Sequence, residues 1–177
     1  MIQKHRATAL HYDFRLEIGD AMPSWAVPKG PSYDPSQKRL AMQVEDHPLE
    51  YAGFEGVIPE GEYGGGTVMI WDEGTYEMLD DADPAAALTK GELRFVLHGK
   101  KLKGRWTLVG TGERKWLLIK GRDKDASTTD ITETHPRSVR TKRLLAEIAR
   151  DDGGDVAKAA TGDPAAPRKR SAPAPRN

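Results

Sequence analysis

The sequence predicts a mainly β protein: a small closed antiparallel β-barrel of about eight strands with one short helix, followed by a C-terminal helix and a disordered tail. Three observations carry this reading. Residues 10–18 alternate apolar and polar without a break, which is the period of a half-buried strand. Short strand-like runs then recur at close spacing between glycine-rich turns, the pattern of an antiparallel barrel or sandwich. From Gly121 onward the chain turns polar, and beyond Asp151 it is dominated by Ala, Pro, Gly, Asp, Arg and Lys.

In the strand over residues 10–18, Leu10, Tyr12, Phe14, Leu16 and Ile18 share the core face, and His11, Asp13, Arg15 and Glu17 share the other. Gly19-Asp20 is a hairpin-type turn into a short strand over residues 24–27. Two prolines around a glycine, Pro28-Lys29-Gly30-Pro31, hold an irregular path that presents Lys29. The strand over residues 38–44 is expected to face the core with Leu40, Met42 and Val44. Arg39, Ala41, Gln43, Glu45 and then His47 take the opposite phase, until Pro48 ends the ladder. In that phase Arg39, Glu45 and His47 join the polar face of His11 and Asp13 if the two strands are neighbours. Tyr51 follows, and a tyrosine in such a place more often anchors a loop than takes part in chemistry.

Gly64-Gly65-Gly66 lacks the Lys-Ser/Thr ending of a phosphate-binding loop and precedes a strand, so it reads as a tight barrel corner. Residues 67–71 and 75–79 are strands joined by Asp72-Glu73-Gly74. Asp83 as N-cap, Pro84 in the first turn and Gly91 as stop define a short helix. Leu93, Phe95 and Leu97 point inward from the strand over residues 92–98, and His98 is a surface histidine. The basic turn over residues 99–104 reads as solvated. A last hairpin, residues 105–109 and 115–120, contributes Trp106, Trp116 and Leu118 to the core. Residues 138–150 form an amphipathic helix with Val139, Leu144, Leu145 and Ile148 as its apolar positions. The organisation expected is a barrel domain over residues 1–122, a linker and helix over 123–150, and a disordered basic Ala/Pro-rich tail over 151–177, in which Arg168-Lys169-Arg170 is a candidate nucleic-acid contact.

The 177 residues allow one domain with a tail. The absence of cysteine excludes disulfides, a thiolate zinc site and a cysteine nucleophile, and it fits a reducing, cytoplasmic setting. No apolar run is long enough for a signal peptide or a membrane span, so a soluble cytoplasmic protein is expected. The formal net charge of zero hides an asymmetry. Residues 1–136 carry 17 Lys+Arg against 22 Asp+Glu, and residues 137–177 carry 10 against 5. A nucleic-acid partner would therefore be bound through a local basic groove, with the tail adding non-specific attraction.

His5 lies a short turn upstream of His11 and Asp13 and can fold back onto their face. Two imidazoles and a carboxylate suit a borderline divalent ion such as Mn²⁺, Zn²⁺ or Fe²⁺. Arg15, one strand step past Asp13, is placed to grip an oxyanion beside that ion. The chemistry indicated is metal-assisted work on a phosphate or carboxylate. The alternatives are a solvated strand face and the facial set of a non-haem iron oxygenase; Arg15 and Lys29 favour phosphate.

Several long runs resemble one family in order and spacing. They are Gln3-Lys4-His5, Leu10-His11-Tyr12-Asp13-Phe14-Arg15-Leu16-Glu17, Ser24-Trp25-Ala26-Val27-Pro28-Lys29-Gly30-Pro31, Val44-Glu45-Asp46-His47-Pro48-Leu49 and Phe54-Glu55-Gly56-Val57-Ile58-Pro59-Glu60-Gly61-Glu62-Tyr63-Gly64, followed by Leu102-Lys103-Gly104-Arg105-Trp106 and Trp116-Leu117-Leu118-Ile119-Lys120. Over residues 2–122 the chain resembles the 3′-phosphoesterase module of bacterial DNA ligase D, an enzyme of non-homologous end joining.

The resemblance implies a compact β-barrel and a Mn²⁺-dependent hydrolase that removes a 3′-terminal ribonucleoside and then the 3′-phosphate, leaving a 3′-hydroxyl. It implies His5, His11 and Asp13 as metal ligands, Arg15 and His47 as phosphate contacts, and Gln3, Lys29, Arg39, Glu45 and Tyr51 as further active-site positions; a protonated His47 would, with Arg15, stabilise charge on the phosphoryl oxygens. The partners implied are DNA or RNA–DNA primer-template 3′ ends, with ligase, polymerase or Ku-type end-joining proteins supplied separately to a monomer. Ligase-fused members carry a segment ahead of the Gln-Lys-His run that adds residues to the site. This chain starts two residues before Gln3, so the phosphomonoesterase step is the better supported. A non-catalytic barrel that binds DNA ends or a repair partner is the competing expectation.

Overall fold

A computed structural model of the chain describes residues 1–62 and 65–165, with only the main chain of Tyr51. Ten strands form one antiparallel sheet: β1 (Ile2–Arg6), β2 (Leu10–Arg15), β3 (Ala21–Val27), β4 (Arg39–Pro48), β5 (Gly56–Ile58), β6 (Gly66–Asp72), β7 (Gly74–Met78), β8 (Glu92–Gly99), β9 (Lys103–Gly112) and β10 (Lys115–Lys120). Their order across the sheet is β5-β6-β1-β2-β3-β4-β10-β9-β8-β7. The ladder runs from β5 to β7 and is not closed by hydrogen bonds. This corrects the expected closed barrel of about eight strands. The two strands beyond the expected eight are β1, which lies between β6 and β2, and the three-residue edge strand β5.

The sheet still curls around one core. Phe14 on β2 meets Phe95 on β8 with ring centroids 6.0 Å apart, although several strands separate them in the ladder. Tyr12 packs edge-on against Trp71 at 5.5 Å, and Trp25 against Trp116 at 5.5 Å. Such aromatic pairs contribute roughly 0.5–1.5 kcal/mol beyond their burial. Leu93, Phe95, Leu97, Trp106, Trp116 and Leu118 are all buried, as expected from their alternation.

Where hydrogen bonds do not join the sheet's ends, a carboxylate helps to do so. Asp72, the last residue of β6, accepts the amide N–H groups of Lys100, Lys101 and Leu102, each at 2.9 Å, and so ties β6 to the turn between β8 and β9. That turn is less solvated than its charge predicts. Lys101 Nζ lies 4.3 Å from the Trp71 ring centroid and donates to the carbonyl of His135 at 2.9 Å.

The strand over residues 39–48 inverts the expected phase. Ala41 is fully buried while Leu40 is 44% exposed. The core on this side is filled by Trp25 and Trp116, which leaves room for an alanine. Gln43, in the same phase, accepts the indole N–H of Trp116 at 3.1 Å. The strand expected over residues 10–18 ends at Arg15, with Leu16 and Ile18 still bonded to Pro23 and Ala21 across the turn.

α1 (Pro84–Lys90) is capped by Asp83 and stopped by Gly91 in the left-handed region, as the sequence predicts. α2 (Ile131–Thr134) is a single turn. α3 (Leu145–Asp152) starts later than the expected residue 138. Both oxygens of Asp163 cap it, accepting from Leu145 N at 2.8 Å and Ala146 N at 2.9 Å. α4 (Val156–Ala160) and its Asp155 cap occupy part of the stretch expected to be disordered. Polar composition hid a helix pair whose Leu145, Ile148, Ala149 and Ala159 are buried. Gly64 and residues 166–177, including Arg168-Lys169-Arg170, lie outside the described residues. Among the described residues no helix is long and apolar enough to cross a membrane.

Replacing Asp72 by Ala strands three amide donors at the junction of β6 with the β8–β9 turn. The expected loss is about 3 kcal/mol, read as a lower urea midpoint at unchanged slope. An unchanged midpoint would mean that packing alone holds the sheet's ends together.

Candidate metal centre

The site is built on the β1–β2 hairpin. Antiparallel register sets Gln3 opposite Asp13 and His5 opposite His11. Paired residues share a face, so Gln3, His5, His11 and Asp13 all leave the same side of the sheet. Their neighbours Lys4, Tyr12 and Phe14 point to the other side. His5 therefore does not fold back through a turn; it stands on its own strand.

One ligand atom from each of His5, His11 and Asp13 lies within 4.8 Å of the other two. His11 Nε2 is 3.1 Å and His5 Nδ1 3.9 Å from the same Asp13 oxygen, and the two imidazole centroids are 4.9 Å apart. Two imidazoles and a carboxylate converging at these distances fit a divalent ion with positions left for other oxygen ligands. Burial alone would raise the Asp13 carboxyl, but the His11 hydrogen bond, with the charges of His11, Arg15 and His5, holds it below the usual carboxylate range. Burial likewise pulls His11 down, and its bond to Asp13 outweighs that and raises it.

Arg15 is the hub beside this cluster. Its Nε donates to Gln3 Oε1 at 2.9 Å, and Nη1 donates to Ser24 Oγ at 2.8 Å and to His47 Nδ1 at 3.0 Å. Nη2 lies 3.6 Å from Asp13 and makes none of these bonds. Gln3 is itself fixed, its Nε2 donating to the Phe54 carbonyl at 2.8 Å. The Arg15 contact is satisfied by the His47 tautomer whose proton sits on Nε2. Burial, then the Arg15 charge, pushes His47 below its ordinary value. Protonating His47 is therefore harder here than for a free imidazole.

The expected site residues divide. Gln3, His5, His11, Asp13, Arg15 and His47 come together. His47 arrives because the β3–β4 register shifts between Met22 and Ser24, not because it shares the phase of Arg39. Glu45 is exposed, and its main-chain carbonyl, 3.2 Å away, is what reaches His47 Nδ1. Lys29 and Arg39 are not at the cluster: they line a separate cavity with Lys4 and Tyr12. The side chain of Tyr51 lies outside the described residues. Sequence reasoning missed Ser24, fully buried and donating to the Met22 carbonyl at 2.9 Å while it receives Arg15. A small polar residue alternating with Trp25 and Val27 was the available signal. It also missed the Phe54 carbonyl, for which side-chain patterning offers no signal.

Residues 3–110 match the family described as the DNA ligase D 3′-phosphoesterase domain. The multifunctional non-homologous end joining protein LigD of Pseudomonas aeruginosa is 52% identical over 151 residues, covering 81% of this chain and 18% of the relative. The multifunctional non-homologous end joining DNA repair protein LigD of Mycobacterium tuberculosis is 49% identical over 117 residues, covering 66% and 15%. The Mycolicibacterium smegmatis protein LigD is 42% identical over 140 residues, covering 74% and 18%. The chain spans less than a fifth of the length of these relatives.

An ion bound only by the folded chain stabilises it by mass action. Mn²⁺ at one hundred times its dissociation constant is expected to add about 2.7 kcal/mol, read as a rise in Tm. Asp13→Ala removes that rise. A variant that keeps all of it would place the ion elsewhere.

Proposed function

The chain belongs to the DNA ligase D 3′-phosphoesterase domain family, and we propose that it is a metal-dependent hydrolase that heals 3′ ends of DNA or RNA–DNA primer strands during non-homologous end joining. The observation that carries this reading is the convergence of His5, His11 and Asp13 on one point, with Arg15 and His47 in contact beside it.

The cofactor proposed is Mn²⁺, held by His5, His11 and Asp13; bound there it would neutralise phosphate charge and lower the pKa of an attacking water. Arg15 Nη2, 3.6 Å from Asp13 and outside its other hydrogen bonds, could bind a phosphoryl oxygen as charge builds in the transition state. Its other donors, spent on Gln3, Ser24 and His47, hold the guanidinium in one orientation, so little entropy is lost when substrate arrives. His47 Nδ1 meets both the Arg15 donor and the Glu45 carbonyl, and in the tautomer that accepts from Arg15 its Nε2 proton could pass to a phosphoryl or leaving oxygen.

Two substrates suit this arrangement. With a 3′-phosphate, water attacks phosphorus, the P–O3′ bond breaks, and O3′ takes a proton to become the 3′-hydroxyl. With a 3′-terminal ribonucleoside, the P–O5′ bond breaks first and leaves a 3′-phosphate. The first reaction is the better supported, since the second asks for contacts to the outgoing nucleoside. Ligase, polymerase and Ku-type proteins are the partners proposed for the remaining steps of joining.

The test uses 5′-labelled primer-templates ending in a 3′-phosphate or a single 3′-ribonucleotide, with Mn²⁺. Wild-type chain is expected to convert the 3′-phosphate, and His11→Ala to be inactive. Arg15→Ala is expected to lose about 10²–10³-fold in kcat, the usual cost of one oxyanion donor. Ser24→Ala, which only loosens Arg15, is expected to lose about tenfold in kcat with little change in KM. Duplex binding without turnover by the wild type would leave a non-catalytic DNA-end binding protein.

A further inference from the structure

On the face of β1 opposite the metal cluster, Lys4 enters a cavity of about 340 Å³ that Lys29 and Arg39 also line. Three positive side chains thus meet at one cavity, and none of them is held in a close ion pair. Among the described residues, none of the three lies within 4.0 Å of a carboxylate oxygen. Lys4 is only 1% exposed, and its Nζ makes no hydrogen bond; the Tyr12 ring centroid lies 5.7 Å away, and the charges of Asp163 and Glu133 reach it without a direct ion pair. Arg39 is similar: its Nε is buried with no hydrogen-bond partner, although Nη2 donates to Gln37 at 3.2 Å. Burying ammonium and guanidinium nitrogens without partners costs free energy that a bound anion would recover.

The cavity also holds Asp130, Glu133 and Asp163, so its formal charge is balanced. The carboxylates are engaged differently from the cations. Asp163 is taken by the first amides of α3, and Asp130 by the N–H and hydroxyl of Thr132 at 3.0 and 2.6 Å. Glu133 is exposed at the rim. At ordinary protein-surface dielectric, cations whose local acids are already bonded to amides still attract an anion. The volume exceeds one phosphate and falls within the roughly 300–1,000 Å³ of small-molecule sites.

We propose that the cavity bounded by Lys4, Lys29 and Arg39 is a second oxyanion site, taking a phosphate group carried by a nucleic-acid strand or by a mononucleotide. The site is separate from the metal cluster and does not rest on the hydrolase reading. It gives Lys29 and Arg39 a task in a cavity that His5, His11 and Asp13 do not line.

The test follows amide resonances of the metal-free full chain while inorganic phosphate, adenosine monophosphate or a short single-stranded oligonucleotide is added. Saturable shifts are expected at Lys29, Gly30 and Gly162, and they persist in His11→Ala. Lys29→Ala, at an exposed position, is expected to weaken binding about tenfold, as is Lys4→Met, which keeps the side-chain length without its charge. Displacement of phosphate from these amides by the oligonucleotide identifies a strand as the source; displacement by the mononucleotide alone identifies the small ligand. Shifts confined to Arg15 and His47, affinity unchanged in both variants, or no saturable shift would overturn the proposal.

Discussion

The pairing of Gln3 with Asp13 and of His5 with His11 is the constraint on which the rest of the molecule depends. A strand has only two faces, and here each is fully used. One face of β2 sends Tyr12 and Phe14 into an aromatic core, and the other sends His11, Asp13 and Arg15 into the site. A register slip of one residue would exchange the faces and destroy core and cluster together. The aromatic packing that stabilises the sheet therefore also fixes the distances among the candidate ligands.

The second constraint is electrostatic. Asp13 and Arg15 are buried charges, which are tolerated only where partners replace water. Asp13 lies against both imidazoles and Arg15, and Arg15 adds Gln3, Ser24 and His47. Every member is placed by another, so removing one strands its neighbour rather than only subtracting a contact. The buried network holds the Arg15 guanidinium in one orientation, and burial, with the Arg15 charge beside it, keeps His47 below its ordinary value.

Much of this was legible in the sequence because strand alternation is a strong signal. The unbroken period from Leu10 to Arg15 yielded both the core set and the polar set. The same signal misled on β4, where apolar Leu40 and Val44 suggested one inward face and Ala41 and Gln43 took it instead. Alternation separates two faces but does not say which one meets the tryptophans. His47 was assigned to the site through the wrong phase, and the register shift beside Ser24 restored it there. α4 and the capping of α3 by Asp163 were illegible because a small, polar helix pair buries few residues and draws its order from contacts distant in sequence.

Those distant contacts bear on the site itself. Thr141 donates to Glu55 Oε2 at 2.6 Å, Arg143 donates to the same oxygen at 3.3 Å, and the other oxygen of Glu55 accepts the amide of Ile70 at 2.8 Å. Phe54, next in the chain, offers the carbonyl that fixes Gln3, and Gln3 fixes Arg15. A continuous run of hydrogen bonds and one peptide link thus joins residues 141–143, beyond the matched span of 3–110, to the guanidinium beside the candidate metal cluster. The sheet supplies the candidate ligands, and the chain that follows it steadies the loop on which their neighbour leans. A boundary drawn at the end of the last strand would separate a charged side chain from part of what orients it.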